Sequence, residues 1–185
     1  DPGDPVNALW LLIILVAFLR LVELVYAGRN TKLLLAQGAE EAGAGHYPLI
    51  IGLHVAWLAS MALNVPPETP VNEPWLAVFL ALQGLRAWIL ASLGRYWTTR
   101  IITLPGAHLV RRGPYRYFRH PNYMVVIAEI AVLPLVFGAW KIALIYSLFN
   151  LALISHRIRV ENRALAERRE LSPVAVKDEG SRSRG

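Results

Sequence analysis

The stretch ALWLLIILVAFLRLVELVYA, residues 8–27, decides the fold class of this chain. Its only charged residues, Arg20 and Glu23, lie toward its end. About 20 mostly apolar residues are enough for a helix to cross the hydrocarbon core of a bilayer, so this stretch is predicted to be a transmembrane helix. Arg20 and Glu23 are three residues apart and can therefore pair on one face of that helix, at the membrane interface.

The composition of the whole chain also favours a membrane protein. Of its 185 residues, 55% are hydrophobic and only 17% are charged, whereas a soluble domain has about 25% charged residues. The absence of cysteine excludes disulfides and thiolate metal sites, and no metal site is predicted. The net charge of +6 would suit nucleic acid, but the basic residues lie between apolar runs, as membrane topology requires. No nucleic-acid partner is therefore expected.

The first apolar run is expected to stay in the mature protein. No basic segment precedes it and no small-residue cleavage site follows it, unlike in a signal peptide. Because the first residue is Asp1, the native start is expected to be missing or processed.

Four more apolar runs follow, at about 47–64, 74–93, 122–133 and 139–155. Pro74 suits the first turn of a helix. The fourth run is short and is expected to end at Pro134, so that a tight turn over 134–138 makes the last two runs an antiparallel hairpin. Residues 28–45 are expected to form a short interfacial helix with a flexible exit, and 156–171 a charged helix. The prediction is an all-α integral membrane bundle of about five transmembrane helices.

The basic residues predict the orientation of the bundle. The segments 28–46 and 94–121 and the tail hold most arginines and lysines, whereas 65–73 and 134–138 hold none. Basic loops stay on the cytoplasmic side, so the N-terminus is expected outside and the 94–121 segment in the cytoplasm, with a bacterial inner membrane as the location. The polar residues 172–185 are expected to be a disordered tail.

One arginine, Arg86, lies deep in the third apolar run. A charge at membrane depth is costly, so Arg86 is expected to face protein or water and to have a partner. Glu129 and Glu23 are the two candidate partners.

The segment 94–121 contains six arginines, two histidines and no acidic residue. Gly113-Pro114 predicts a turn, and Tyr115, Phe118 and Tyr123 offer flat faces for a planar ring. Pro121 can begin the fourth helix without losing a hydrogen bond, and free backbone N–H groups there suit an anion. A positive-inside loop with interfacial aromatics would explain the arginines and some tyrosines. It would not explain the ordered Gly-Pro-Tyr and Arg-His-Pro-x-Tyr spacing.

A second polar element, Arg157 to Asn162, follows the fifth run. Arg157 and Glu161 are four residues apart and share a helix face. On spacing alone the simplest interpretation is an ion pair, worth about 0.3–0.5 kcal/mol on an exposed helix.

These elements together resemble a known family. Gly113-Pro114-Tyr115, then Arg119-His120-Pro121-Asn122-Tyr123, a hairpin and Arg157-x-x-x-Glu161 resemble the isoprenylcysteine carboxyl methyltransferase family over about residues 94–165. Stretches at 20–24, 29–30, 38–40, 46–48 and 97–102 resemble a bacterial branch of it. Some members of that branch are linked to type III polyketide synthases and methylate alkylpyrones or alkylresorcinols. A functional link to such a synthase is therefore one expectation for this chain.

The resemblance implies a membrane-embedded, S-adenosylmethionine-dependent O-methyltransferase that releases S-adenosylhomocysteine. Residues 1–73 would form N-terminal transmembrane helices with an interfacial segment, and 74–171 the methyltransferase core. Arg157 would face the methyl acceptor and Glu161 the charged end of the cofactor. The cofactor-binding residues implied by motif match are His108, Leu109, Val110, Tyr115, His120, Pro121, Tyr123 and Glu161. Glu161-Asn162 stands where many relatives carry a run of glutamates. The N-terminal half is not that of the eukaryotic enzymes, whose lipid tunnel is built partly from N-terminal helices, so a prenylcysteine substrate does not follow.

The acceptor is expected to be a lipophilic molecule that enters from the bilayer. A carboxylate acceptor needs no general base, whereas a phenol or enol would benefit from one, with His120, Tyr123 or Glu129 as candidates. In either case the protein mainly has to position the acceptor oxygen. Polar residues in or near the spans are expected to line the route, namely Arg86, Asn122, Glu129, Asn150 and His54.

Two other functions compete with this interpretation. A sterol-reductase-like membrane oxidoreductase has related C-terminal helices but binds a nicotinamide cofactor and usually has more spans. A non-catalytic membrane scaffold would bind no cofactor and would tolerate replacement of His120 or Tyr123.

Overall fold

Five α-helices make up most of the described part of the chain. A computed structural model describes the backbone of residues 7–105 and 110–171 and the side chains up to Ala166. The helices are α1 (Ala8–Ala36), α2 (Tyr47–Asn64), α3 (Glu73–Leu93), α4 (Pro121–Val136) and α5 (Trp140–Leu171). All but the shorter α4 are long and apolar enough to cross a membrane. The predicted all-α membrane bundle is confirmed.

Local sequence fixes where the helices begin. The Asn7 side chain accepts a hydrogen bond from the Leu9 N–H, and the Asn72 side chain accepts one from the Trp75 N–H. These caps satisfy donors that the first turn of a helix leaves free. Pro74 and Pro121 stand in the first turns of α3 and α4, as predicted.

Three predicted helix ends are wrong because the helices continue past them. The 28–45 segment is not an interfacial helix: α1 runs on to Ala36, since Asn30 and Leu34 are buried against the rest of the bundle. The charged helix predicted at 156–171 is the continuation of α5. The fourth span passes Pro134 and ends at Val136. A proline this close to a helix end removes a hydrogen bond in the last turn and does not break the helix.

A two-stranded antiparallel sheet, absent from the prediction, joins the two halves of the chain. Its strands are β1 (Glu40–Ala42) and β2 (Ile101–Thr103), with Glu41 opposite Ile102. Beside it, Arg100 lies 3.0 Å from the Glu41 carboxylate and its guanidinium lies 4.7 Å from the Tyr47 ring centroid. The N-terminal third of the chain is thereby fastened to the segment after α3.

The antiparallel helices place all the arginine-rich segments at one end of the bundle. This end, called the basic end below, holds β1, β2, the described parts of the 94–120 segment and the last turns of α5. At the opposite end the Asn72 N–H donates to the Val136 carbonyl, joining the two connections that lack basic residues. Residues 172–185, predicted to be disordered, lie outside the described residues.

Apolar side chains cover both the inside and the outside of the bundle. One core cluster, around Leu9, Met61 and Leu133, lies toward the end opposite the basic one, and a second surrounds Trp97 and Ile89. Large apolar side chains on the outer faces are exposed, among them Ile14, Leu63 and Phe149. Exposure on this scale suits contact with hydrocarbon rather than with water.

Candidate functional site

A polar cavity of about 990 Å³ opens at the basic end. Ligand-binding cavities in proteins measure about 300–1,000 Å³, so this one has room for a nucleoside-sized molecule. Its walls come from the ends of α1 and α3, the 96–104 and 110–120 segments, the first turn of α4 and the last turns of α5. The predicted cofactor residues on these walls are Val110, Tyr115, His120, Tyr123 and Glu161.

The hydroxyl of Tyr123 connects the two elements that the sequence singled out. It donates to Glu161 Oε2 at 2.7 Å and accepts from Arg157 Nε at 3.0 Å. The His120 ring stacks on Tyr123 with centroids 5.4 Å apart, and His120 Nδ1 lies 3.8 Å from Glu161 Oε2. Arg157 and Glu161 are thus joined through a residue of α4, and within the described residues they form no direct ion pair.

Arg157 is a buried cation in the wall that the two cavities share. It is 7% exposed and donates to the Thr99 carbonyl and to the Tyr123 hydroxyl. Among residues 7–105 and 110–166, no carboxylate lies within ion-pair distance of it. A buried charge without a counter-ion is costly, so an anionic oxygen of a ligand would be stabilised beside Arg157.

The predicted Gly-Pro turn is present and rests on α3. Gly113 has φ of +58°, and a side chain there would collide with Ser92, so only glycine fits. The Arg112 Nε donates to the Ser92 carbonyl at 2.6 Å. This anchoring brings Tyr115 into the cavity wall, where burial and the Glu161 charge raise the pKa of its hydroxyl. Tyr115 is therefore a hydrogen-bond donor at neutral pH.

Two predicted cofactor residues, His108 and Leu109, lie outside the described residues. Pro121 is buried in the first turn of α4 and does not line the cavity.

A second, mainly apolar cavity of about 310 Å³ lies deeper in the bundle. Helices α1 and α2 supply much of its wall, and the rest comes from α3, the 97–99 segment, α4 and α5. The two cavities share a wall made of Trp97, Thr98, Asn122, Tyr123 and Arg157. A group in the polar cavity and a group in the apolar cavity would therefore meet at Tyr123 and Arg157.

A cluster of buried charges borders the apolar cavity. Arg86 donates to both Glu23 oxygens, at 2.8 and 2.6 Å, and to Glu129 Oε2 at 3.0 Å. Arg20 bonds Glu23 at 2.9 Å, and Gln83 bonds the other Glu129 oxygen at 2.8 Å. The predicted Arg20–Glu23 pair is present, but it belongs to this buried cluster and is not a separate pair at the membrane interface. Arg86 binds both of its candidate partners.

The residues predicted to line the acceptor route have different positions. Arg86, Asn122, Asn150 and His54 line the apolar cavity, the last with Nδ1 2.9 Å from the Ile50 carbonyl. Glu129 is bonded to Arg86 and Gln83 and lines neither cavity.

Asn30 supports the site, although sequence reasoning gave it no role. It is 5% exposed, and its Nδ2 donates to the Gly94 carbonyl at 3.2 Å and the Trp97 carbonyl at 2.9 Å. These bonds hold the segment that carries Trp97 and Thr98 into the shared wall. The signal available in the sequence was the stretch 29–30, one of those that resemble the bacterial branch of the family.

The two cavities, in a bundle of membrane helices, define a membrane protein that can bring a polar and an apolar ligand together. The family model for the isoprenylcysteine carboxyl methyltransferase (ICMT) family matches residues 75–167, and the chain belongs to this family. Membership makes it a membrane methyltransferase.

The two curated relatives that match are uncharacterized bacterial proteins. The chain is 41% identical over 162 residues to YpbQ of Bacillus subtilis (strain 168), covering 85% of this chain and 96% of the relative. It is 26% identical over 153 residues to a protein of Haemophilus influenzae, covering 80% and 89%. No solved structure matches.

Proposed function

We propose that this protein is an S-adenosylmethionine-dependent O-methyltransferase acting on a carboxylate or a phenol or enol oxygen of a lipophilic membrane substrate. The observation that carries the proposal is the Tyr123 hydroxyl, which binds Glu161 and Arg157 at the wall shared by the two cavities. One cavity would hold the cofactor and the other the acceptor. The acceptor oxygen would meet the cofactor beside Arg157.

The residues of the polar cavity fit this cofactor. Glu161 Oε2 is held by Tyr123, and Oε1 accepts no hydrogen bond from the described residues, so it is available to an ammonium group or a ribose hydroxyl. The Tyr115 hydroxyl is a donor, and the stacked rings of His120 and Tyr123 offer an aromatic surface. When bound, the cofactor supplies a methyl group activated by a sulfonium and leaves as S-adenosylhomocysteine.

Arg157 would act on the acceptor. Its guanidinium stabilises an anionic oxygen and lowers the pKa of a phenol or enol beside it, since an opposite charge favours the ionised form. An oxygen held as an anion needs no separate general base. The bonds of Arg157 to Thr99 and Tyr123 fix the guanidinium, and fixed geometry is the main contribution required for transfer from an activated donor.

The apolar cavity suits the lipophilic part of the acceptor. Helices α1 and α2 both line it, so a substrate would enter between helices from the bilayer. A type III polyketide synthase would be a source of such a substrate, and a functional link to one belongs to this proposal. By the positive-inside rule, the basic end would face the cytoplasm of a bacterial inner membrane, where the cofactor is made.

The test is calorimetric titration of the detergent-purified protein with S-adenosylhomocysteine. Saturable binding is expected, and Glu161→Ala should weaken it at least tenfold. Glu68→Ala is the matched control, because Glu68 is exposed in the turn between α2 and α3, at the opposite end. Absence of binding in folded wild-type protein would overturn the proposal, and binding of NADPH instead would favour a reductase.

A further inference from the structure

Three buried polar groups along the apolar cavity have no hydrogen-bond partner. Within residues 7–105 and 110–166, Asn150 Nδ2, Asn122 Oδ1 and Trp97 Nε1 are all unpaired, and all three residues line this cavity. Asn150 and Trp97 are each 2% exposed. More than nine in ten buried polar groups in proteins find a partner, so three exceptions around one cavity need an explanation.

The other polar residues on the same wall show that the bundle can satisfy buried groups. Glu23 accepts hydrogen bonds from both Arg20 and Arg86, and His54 bonds a carbonyl of its own helix. Five buried side-chain atoms are unpaired in the described residues, and three of them lie on this one cavity. The other two, Trp57 Nε1 and Ser147 Oγ, line neither cavity.

The chemistry of these groups describes their ligand. Each carboxamide presents a donor and an acceptor in either orientation, and the indole N–H is a donor only. None of the three is charged. Of the nearby cations, Arg86 lies 5.9 Å from the Trp97 ring centroid but is bonded to Glu23 and Glu129, whereas Arg157 has no carboxylate within ion-pair distance among the described residues. The complementary group both accepts and donates hydrogen bonds, as a hydroxyl does. A carboxylate accepts only.

The three unpaired groups lie at different places along the two cavities. Trp97 and Asn122 lie in the wall shared with the polar cavity, whereas Asn150 lines the apolar cavity alone. Asn150 and Arg157 are seven residues apart on α5, about two turns or 10 Å along its axis. Both residues line the apolar cavity.

We propose that Asn150, with Asn122 and Trp97, recognises a second polar group of the methyl acceptor, separate from the oxygen that Arg157 holds for methylation. This inference rests on the proposed function and assigns Asn150 as a specificity-determining residue. The acceptor is then an amphiphile whose head carries two polar groups, of which the one deeper in the bilayer donates and accepts hydrogen bonds.

The test compares two probes that differ by one hydroxyl, 5-pentadecylresorcinol and 3-pentadecylphenol. Their dissociation constants are measured on the full chain in nanodiscs loaded with S-adenosylhomocysteine, so the result does not depend on turnover. Wild-type protein should bind the resorcinol at least tenfold more tightly. In Asn150→Leu the two dissociation constants should come within threefold of each other, through loss of resorcinol binding alone.

The control is Ser147→Ala. Ser147 Oγ is also buried and unpaired within the described part of the chain, but it does not line the cavity, so this variant should keep the wild-type preference. Equal binding of both probes by the wild type, or binding of neither, would overturn the inference, since water or nothing would then occupy the site. A preference that survives in Asn150→Leu would also overturn it. Failure of S-adenosylhomocysteine to bind would instead count against the proposed function.

Discussion

Replacing Tyr123 by phenylalanine removes one oxygen atom from the wall between the two cavities. The ring remains, so the packing of α4 and the stacking on His120 are preserved. Glu161 loses the donor at 2.7 Å and Arg157 loses the acceptor at 3.0 Å. The variant therefore tests whether this hydroxyl aligns the two charged residues.

The expected size follows from the two bonds. A hydrogen bond to a charged group contributes about 1.5–3 kcal/mol. Water in the polar cavity can replace part of this, since the Glu161 side chain is 29% exposed. We therefore expect about 1.5–3 kcal/mol for both bonds together, a fall of roughly 10- to 150-fold in kcat/KM.

The assay separates the effects on the two charged residues. Calorimetry with S-adenosylhomocysteine reports on Glu161, and its dissociation constant should rise severalfold. Transfer of a labelled methyl group to 5-pentadecylresorcinol or to a lipid extract reports on Arg157. Tyr146→Phe is the matched control: its hydroxyl also makes hydrogen bonds, to Ser60 and the Ala56 carbonyl, but it lines neither cavity. Wild-type affinity and rate in folded Tyr123→Phe would refute the role given to this hydroxyl.

Three further predictions follow from buried contacts of the site. Arg157→Ala should leave S-adenosylhomocysteine affinity within threefold of wild type but lower turnover at least a hundredfold. Full turnover in this variant would mean that Arg157 serves only the orientation of the protein in the membrane. Arg86→Met leaves Glu23 and Glu129 with only one of the two arginines that they share. It should lower the free energy of unfolding by about 3–5 kcal/mol, whereas exposed Arg159→Met should change it little, both followed by thermal unfolding. Asn30→Leu should speed proteolysis of the segment after α3 and weaken cofactor binding. An unchanged cleavage pattern would contradict the role of Asn30 in holding that segment.

The N-terminal helices give the site a part that the family match does not include. The match begins at residue 75, whereas α1 and α2 lie before it and line much of the apolar cavity. Asn30 and β1 also hold the segment after α3 in place. Differences in acceptor among relatives would therefore arise mainly from these two helices, while the polar cavity is built largely by the matched region.

The neutral charge cluster is suited to its depth in the bilayer. Two arginines and two glutamates neutralise one another, and Gln83 bonds both Arg20 and Glu129. Breaking one member of a buried pair is costly because the other is left charged. The cluster therefore holds α1, α3 and α4 in one arrangement beside the apolar cavity.

Much of the fold could be predicted because its signals are local. A run such as residues 8–27 has no alternative to a membrane helix, since only a helix satisfies its own backbone in hydrocarbon. Pro74 and Pro121 mark helix starts in any context. The partners of Arg86 could be reduced to two glutamates because few other counter-ions lie at membrane depth.

The sequence by itself determined the membrane class and most of the helices, because hydrophobic length, capping and charge distribution act along the chain. It also singled out the motif residues as candidates for a site. Only the tertiary structure decided that Tyr123 joins Arg157 to Glu161, that β1 pairs with β2 and that Asn30 holds the Trp97 carbonyl. Each of these contacts depends on the rotation of a helix about its axis or on the path of a loop. Those are set by packing between residues far apart in the chain, which spacing along one segment does not encode.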